Sequence, residues 1–167
     1  MNQIDQDNLT QFLTFRLGAE SFAVDVAKVR EVLDLNEITR VPQTPDYMLG
    51  VINLRGRVVP VIDLRLRFGL PSAEQTRDTC IIVMEIHLEA EMVVIGALVD
   101  AVEEVLDFAA AEIEAPPRLG AQVNVDFIRG VGKRGEQFVM ILEIDRIFAI
   151  EETELFRTVR KSEEEVA

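Results

Sequence analysis

The run GVINLRGRVVPVIDL, from Gly50 to Leu64, reads as a β-hairpin: two stretches rich in Val, Ile and Leu flank the dipeptide Arg55-Gly56. Branched apolar side chains suit a pleated, half-buried surface, and glycine supplies the backbone freedom of a tight turn. Pro60 has no N–H to give to a ladder, so its strand is expected at a sheet edge or with a bulge there. Asp63 is placed to cap the short helical stretch LRLRF, residues 64–68, which Gly69 and Pro71 stop.

Parts of this hairpin return later in the chain. Gly50-Val51, Arg55-Gly56, Val61-Ile62-Asp63-Leu64 and Phe68 recur as Gly130-Val131, Arg134-Gly135, Ile141-Leu142-Glu143-Ile144 and Phe148, and VREVLD at 29–34 recurs as VEEVLD at 102–107. The offset is 73 residues early and 80 later, which places seven extra residues in the loop around Pro116-Pro117. Order is kept through both copies, and spacing to within one residue at the Arg-Gly pair, the mark of an internal duplication. Each copy has too few short strands to bury two faces as an open sheet, so two small closed barrels packed together are the economical architecture. The cleft between them is the default binding groove.

Outward from the hairpin, Leu13, Phe15 and Leu17 alternate with polar residues, turn at Gly18-Ala19-Glu20 and continue as Phe22, Val24 and Val26, a second hairpin. Val26, Val29, Val32 and Leu33 have the spacing of an apolar helical stripe, with Asp25 as N-cap and with Lys28 and Glu31 turned toward solvent or a partner. CIIVMEI and MVVIGALV read as strands around a polar turn near Glu89-Ala90-Glu91, and FIRGVG and QFVMILEI as a further pair around Lys133-Arg134-Gly135.

Composition narrows the function. A net charge of −13 opposes binding to a phosphate backbone, whose affinity comes from lysines and arginines, so nucleic acid is not an expected partner. The charge is uneven: residues 1–70 hold 8 basic and 9 acidic side chains, residues 71–167 hold 9 and 21. Ordinary surface solvation is one reading, and a different partner for each half is the other. The N-terminal MNQIDQDNLTQ lacks the basic and apolar regions of a secretory signal, and the longest apolar run, Met92 to Val99, is far too short to span a bilayer. Cys80 has no cysteine to pair with and opens an apolar stretch, as expected of a buried strand residue in a reducing cytosol.

Three serines, one cysteine and one histidine offer no nucleophile–base constellation or built metal site. The glycines of RGVGKRG, residues 129–135, neither open a helix nor end in Lys-Ser/Thr, so they belong to a hairpin and not to a phosphate loop. Glu85 or Glu103-Glu104 could be proposed for acid/base work, but neighbours on a strand point to opposite faces. No enzyme and no cofactor is expected.

Across VREVLDLNEITRVPQTPDYMLGVINLRGRVVPVIDLRLRFG, residues 29–69, and again through GALVDAV at 96–102 and FIRGVG at 127–132, the chain resembles the CheW family of bacterial chemotaxis coupling proteins. The resemblance runs from about Gln11 to Phe156. It implies an all-β fold with short helices, two SH3-like five-stranded barrels packed side by side. In that reading one domain spans 8–156: a first lobe at about 11–70, a linker at 71–79, a second lobe at about 80–148 and a C-terminal helix at about 149–160, before a flexible tail at 161–167.

The resemblance also implies a non-enzymatic adaptor, monomeric alone and cytoplasmic, recruited to membrane-associated receptor arrays without inserting into the bilayer. Its partners would be the cytoplasmic tip of a methyl-accepting chemoreceptor, held in the groove between lobes, and the regulatory domain of the histidine kinase CheA. Carried over by motif position, Val29, Glu31, Val32, Gly50, Val51, Asn53 and Arg55 are the candidate interface residues of the first half, with Val99 and Val102 on the other wall of the groove. An exposed Val29–Val32 stripe could receive a helical tip. Gly50 would allow close backbone approach, and Arg55 would pair with Glu31 or with an acidic partner group. An adaptor of a non-flagellar chemosensory system, acting on pili or development, would use the same surfaces. Ala101 stands where the family often has glycine, and the tail RTVRKSEEEVA runs past the usual end.

Overall fold

Alternating apolar and polar side chains, broken by turn residues, fold into ten strands and one short helix in the computed structural model, which describes residues 9–35, 37–88, 91–115 and 127–147. The first half carries β1 (Thr10–Leu17), β2 (Glu20–Asp25), β3 (Val29–Asp34), β4 (Met48–Leu54), β5 (Arg57–Asp63) and α1 (Leu64–Arg67). The second carries β6 (Cys80–Leu88), β7 (Glu91–Val99), β8 (Ala101–Phe108), β9 (Ile128–Arg134) and β10 (Gln137–Leu142). The turn at Glu89-Ala90, the Pro116-Pro117 loop, Phe148, the expected helix at 149–160 and the tail lie outside the described residues.

The strands form two five-stranded sheets, ordered β8-β1-β2-β10-β9 and β3-β6-β7-β5-β4. Replacing each strand by its counterpart five places along converts one order into the other, so the duplication read from the sequence is a duplication of topology. The lobes, however, are not the sequential halves 11–70 and 80–148. Each sheet inserts a two-stranded hairpin of one half between three strands of the other. The reason lies in the parallel pairs β5–β7 and β2–β10: parallel neighbours cannot be joined by a tight turn, so the partner strand comes from elsewhere in the chain.

Alternation on these strands builds three apolar clusters. Ile52, Val59, Val61, Ile81, Val83, Val94 and Leu98 fill one barrel. Phe12, Ala23, Phe108, Val139 and Ile141 fill the other. The opposite strand faces, including Phe15, Phe22, Ile62, Ile82, Met84, Ile95 and Val99, meet between the barrels in the largest cluster. The two barrels therefore share one continuous core, and Cys80 is buried within it as expected.

Three local expectations are confirmed and two corrected. Arg55 and Gly56 both have positive φ, 52° and 85°, which matches the right-handed twist of the flanking strands, and Asn53 Oδ1 accepts a hydrogen bond from Gly56 N at 2.8 Å. Asp63 caps α1 by accepting from Arg65 N and Leu66 N. Asp25 caps as well, accepting from Ala27 N, but the turn it caps is a single 3-10 turn over Val26–Lys28.

The expected helix through Val29–Leu33 is strand β3. A bulge between Val29 and Glu31 sets Val29 opposite Met84 and Val32 opposite Ile82, so residues three apart share a face without helical winding. Pro60 is not on an edge strand, since β5 lies between β4 and β7. Its ladder with β7 begins only at Val61, and the register shift falls on β4 between Met48 and Gly50, so the missing N–H leaves no rung broken.

Candidate functional site

Strand β3 is outermost in its sheet, and its bulge decides what it presents. Val29 packs against the shared core beside Met84, whereas Val32, further along the same face, is 44% exposed. The second copy repeats this. Val102 lies opposite Phe15 and packs on the shared core, and Val105 lies opposite Leu13 and is 50% exposed. The core between the barrels thus reaches the surface at two equivalent positions. Val105 was missed from the sequence, although the alignment of VREVLD with VEEVLD already pairs it with Val32.

Next to Val32, the guanidinium of Arg55 forks onto the Glu31 carboxylate: Nη1 donates to Oε1 at 3.3 Å and Nη2 donates to Oε2. The pairing anticipated between these residues is therefore made within the chain. The Arg55 hydrogen bond holds the Glu31 carboxyl below its ordinary pKa, and the same bond raises that of Arg55. The Arg55 side chain remains 69% exposed against 28% for Glu31, so the fork is fixed in place yet open to a partner. Both residues line a surface cavity of about 400 Å³ with Arg30, Arg57 and Val58, three neighbours that motif matching did not single out.

The other barrel has a different version. Arg134 Nη1 donates to Glu103 and Glu104 at 3.3 and 3.4 Å, and Nη2 donates to Ser21 at 2.8 Å. Arg134 ends its strand and Gly135 takes the positive φ of 63°, whereas Arg55 is itself in the turn, so the two Arg-Gly pairs are one residue out of step. The side chain of Arg134 is only 20% exposed. One barrel end shows an open arginine fork, the other an arginine folded down among glutamates.

Gly50, Val51 and Val99 act behind this surface, and Asn53 supports it from an exposed position at the turn. Gly50 admits Thr39, whose backbone exchanges two 2.8 Å hydrogen bonds with Val51, so the close approach expected at Gly50 is made by the chain itself. Val51 and Val99 are 5% and 1% exposed and belong to the shared core, and Asn53 fixes the turn. The predicted site residues consequently fall into two groups: Glu31, Val32 and Arg55 at the surface, and Val29, Gly50, Val51, Asn53, Val99 and Val102 holding them in place.

Residues 11–152 match the model of the CheW-like domain. The chemotaxis protein CheW of Klebsiella aerogenes is 34% identical over 152 residues, 91% of this chain and 89% of that protein. A probable chemotaxis protein CheW of Rhizobium etli is 34% identical over 92% of this chain and 94% of its own length. In three dimensions the scaffolding protein TtCheW from Thermoanaerobacter tengcongensis superposes with a TM-score of 0.75 at 34% identity, covering 84% of this chain and 88% of that one. Barrel pair, duplicated hairpins and sequence agree, and the chain belongs to the CheW-like family.

Proposed function

We propose that this protein is a cytoplasmic, non-enzymatic adaptor that couples methyl-accepting chemoreceptors to the histidine kinase CheA, docking through the surface around Glu31, Val32 and Arg55 and its counterpart at Val105. The observation that carries the reading is the conjunction of an exposed apolar residue, Val32, with an arginine fork that is braced by Glu31 but largely open. Arginine is enriched at interface hot spots, and an exposed apolar neighbour adds area that docking would bury. Family membership supports the adaptor role, and receptor arrays at the membrane are where such a coupler would be recruited.

The test is a pull-down with a receptor tip and with the kinase regulatory domain, alone and together. Wild-type protein is expected to retain at least one of them, and Arg55→Glu or Val32→Asp to lose it while keeping the wild-type far-UV spectrum. Wild type capturing neither, or folded variants binding as well as wild type, would overturn the proposal.

A further inference from the structure

Among the described residues, the only strand ladders within each half are its hairpins, β1–β2 and β4–β5 in the first and β6–β7 and β9–β10 in the second. Every other ladder, β1–β8, β2–β10, β3–β6 and β5–β7, crosses between the halves. Neither half closes a barrel with its own strands. Residues 71–78, which connect them, are exposed.

Among the described residues, three ion pairs cross the same boundary, all with one polarity. Lys28 pairs with Asp145 at 2.8 Å, Arg65 with Asp100 at 2.7 Å, and Arg30 with Glu85. In each the cation comes from the first half and the anion from the second. Asp100 also accepts from Gly18 N at 2.6 Å, and Asp145 from His87 N at 2.8 Å. By contrast, Arg55–Glu31 and Arg134 with Glu103 and Glu104 stay inside their own halves.

The duplication supplies the competitor that these charges act against. Since the two sheet orders are equivalent, a first half could in backbone terms pair with another first half. Strand registers fix what would then meet. Phe15 opposite Val102 matches Met84 opposite Val29, which makes Glu85 the counterpart of Arg16. The parallel pairs Ile141–Ala23 and Val61–Gly96 make Asp145 the counterpart of Arg65. Two first halves would set Lys28 against Arg65 and Arg30 against Arg16. Two second halves would set Glu103 against Glu85 and Asp145 against Asp100. Like charges replace opposite ones in both homotypic pairings.

We infer that each half is a binding partner built for the other, of its own chain or of a second copy, and that the charge asymmetry between the halves is the device that selects this pairing over two copies of the same half. The inference is independent of which receptor or kinase the assembled molecule serves.

The test uses the full chain with a specific protease site placed within residues 73–75, folded, cut, unfolded in urea and refolded by dilution. Native mass spectrometry is expected to find the 1:1 heteropair in about tenfold or greater excess over either homopair. Lys28→Asp with Arg65→Asp should abolish that excess, and adding Asp100→Arg and Asp145→Lys should restore it. If the reversed chain does not fold before cutting, Arg30→Glu alone is used: it sets like charges against Glu85 in the heteropair and opposite charges against Arg16 of another first half, so the heteropair excess should fall. Fragments that part after cutting and each keep their sheet content, homopairs as abundant as heteropairs, or selectivity indifferent to charge reversal would each overturn the inference.

Discussion

Gly50 lies so close to Thr39 that a Cβ on it would come within 2.1 Å of the Thr39 carbonyl oxygen, and its φ of 150° is one that L side chains rarely adopt. Gly50→Ala must therefore break the Thr39–Val51 bridge or strain it, and a loss of about 2–4 kcal/mol is expected in urea unfolding. Gly130, where a Cβ would meet Glu114 O at 2.6 Å and Ile113 Cγ2 at 2.4 Å, guards the equivalent bridge between Glu114 and Val131. Gly130→Ala should destabilise in the same sense, although its φ is ordinary.

Surface and scaffold should separate cleanly at Val32 and Arg55. Val32→Asp changes a residue that is nearly half exposed and should shift stability by no more than about 0.5 kcal/mol. Arg55→Ala should leave the urea midpoint unchanged, because exposed ion pairs contribute little to folding. Both should weaken partner capture, and the combination Glu31→Arg with Arg55→Glu should recover the fork without restoring the original charge at the surface. Unfolding curves and pull-downs on the same samples check this.

Acid should act oppositely through two carboxylates flanking Arg65. Burial raises the pKa of Asp100, but the hydrogen bonds from Arg65 and Gly18 outweigh it and hold the group below its ordinary 3.8. Folded Asp100 then binds fewer protons than unfolded, so its contribution is complete above 3.8 and is lost as pH falls through the lower folded value. Asp63 is raised, chiefly by burial, so folded protein binds more protons there. Its contribution is present below 3.8 and is lost as pH rises through the folded value. Urea midpoints measured through an acid titration should lose part of their low-pH decline in Asp100→Asn and decline more steeply in Asp63→Asn.

Cys80 begins β6 within the shared core, and burial raises its thiol pKa. Reaction with iodoacetamide should be at least about a hundredfold slower in buffer than in urea, because labelling requires opening of the sheet. Equal rates would mean that β6 frays at its first residue.

Local rules made the hairpins, both aspartate caps and the duplication readable, because a turn at Arg55-Gly56 or a cap at Asp63 depends on residues a few places apart. Two errors have separate causes. The spacing of Val26, Val29, Val32 and Leu33 imitates a helix because a bulge adds one residue to a strand, and periodicity cannot distinguish the two. Pro60 suggested an edge or a bulge because a sequence does not show where a ladder with a distant strand begins. The strand exchange escaped for a related reason. Which hairpin inserts between which strands is decided by side-chain fit between residues 35 to 118 places apart, with no local signature. Of the site, Glu31, Val32 and Arg55 were found at the surface, while burial of Val51 and Val99 depends on packing that motif position does not reveal.

The interleaved strand order also governs how the molecule can be made. β1 and β2 leave the ribosome first, yet their outer neighbours are β8 and β10, more than a hundred residues away for β10. The first barrel to gain all its strands is the one completed by β7, assembled around β3, β4 and β5, while the N-terminal hairpin waits with both edges unpaired. Such non-local pairing favours slow folding, since the entropy of long closures is spent before the contacts form. A nascent chain halted after residue 79 would hold hairpins without a closed barrel, and the window between that length and the emergence of β10 is where a chaperone or an aggregate competes for it.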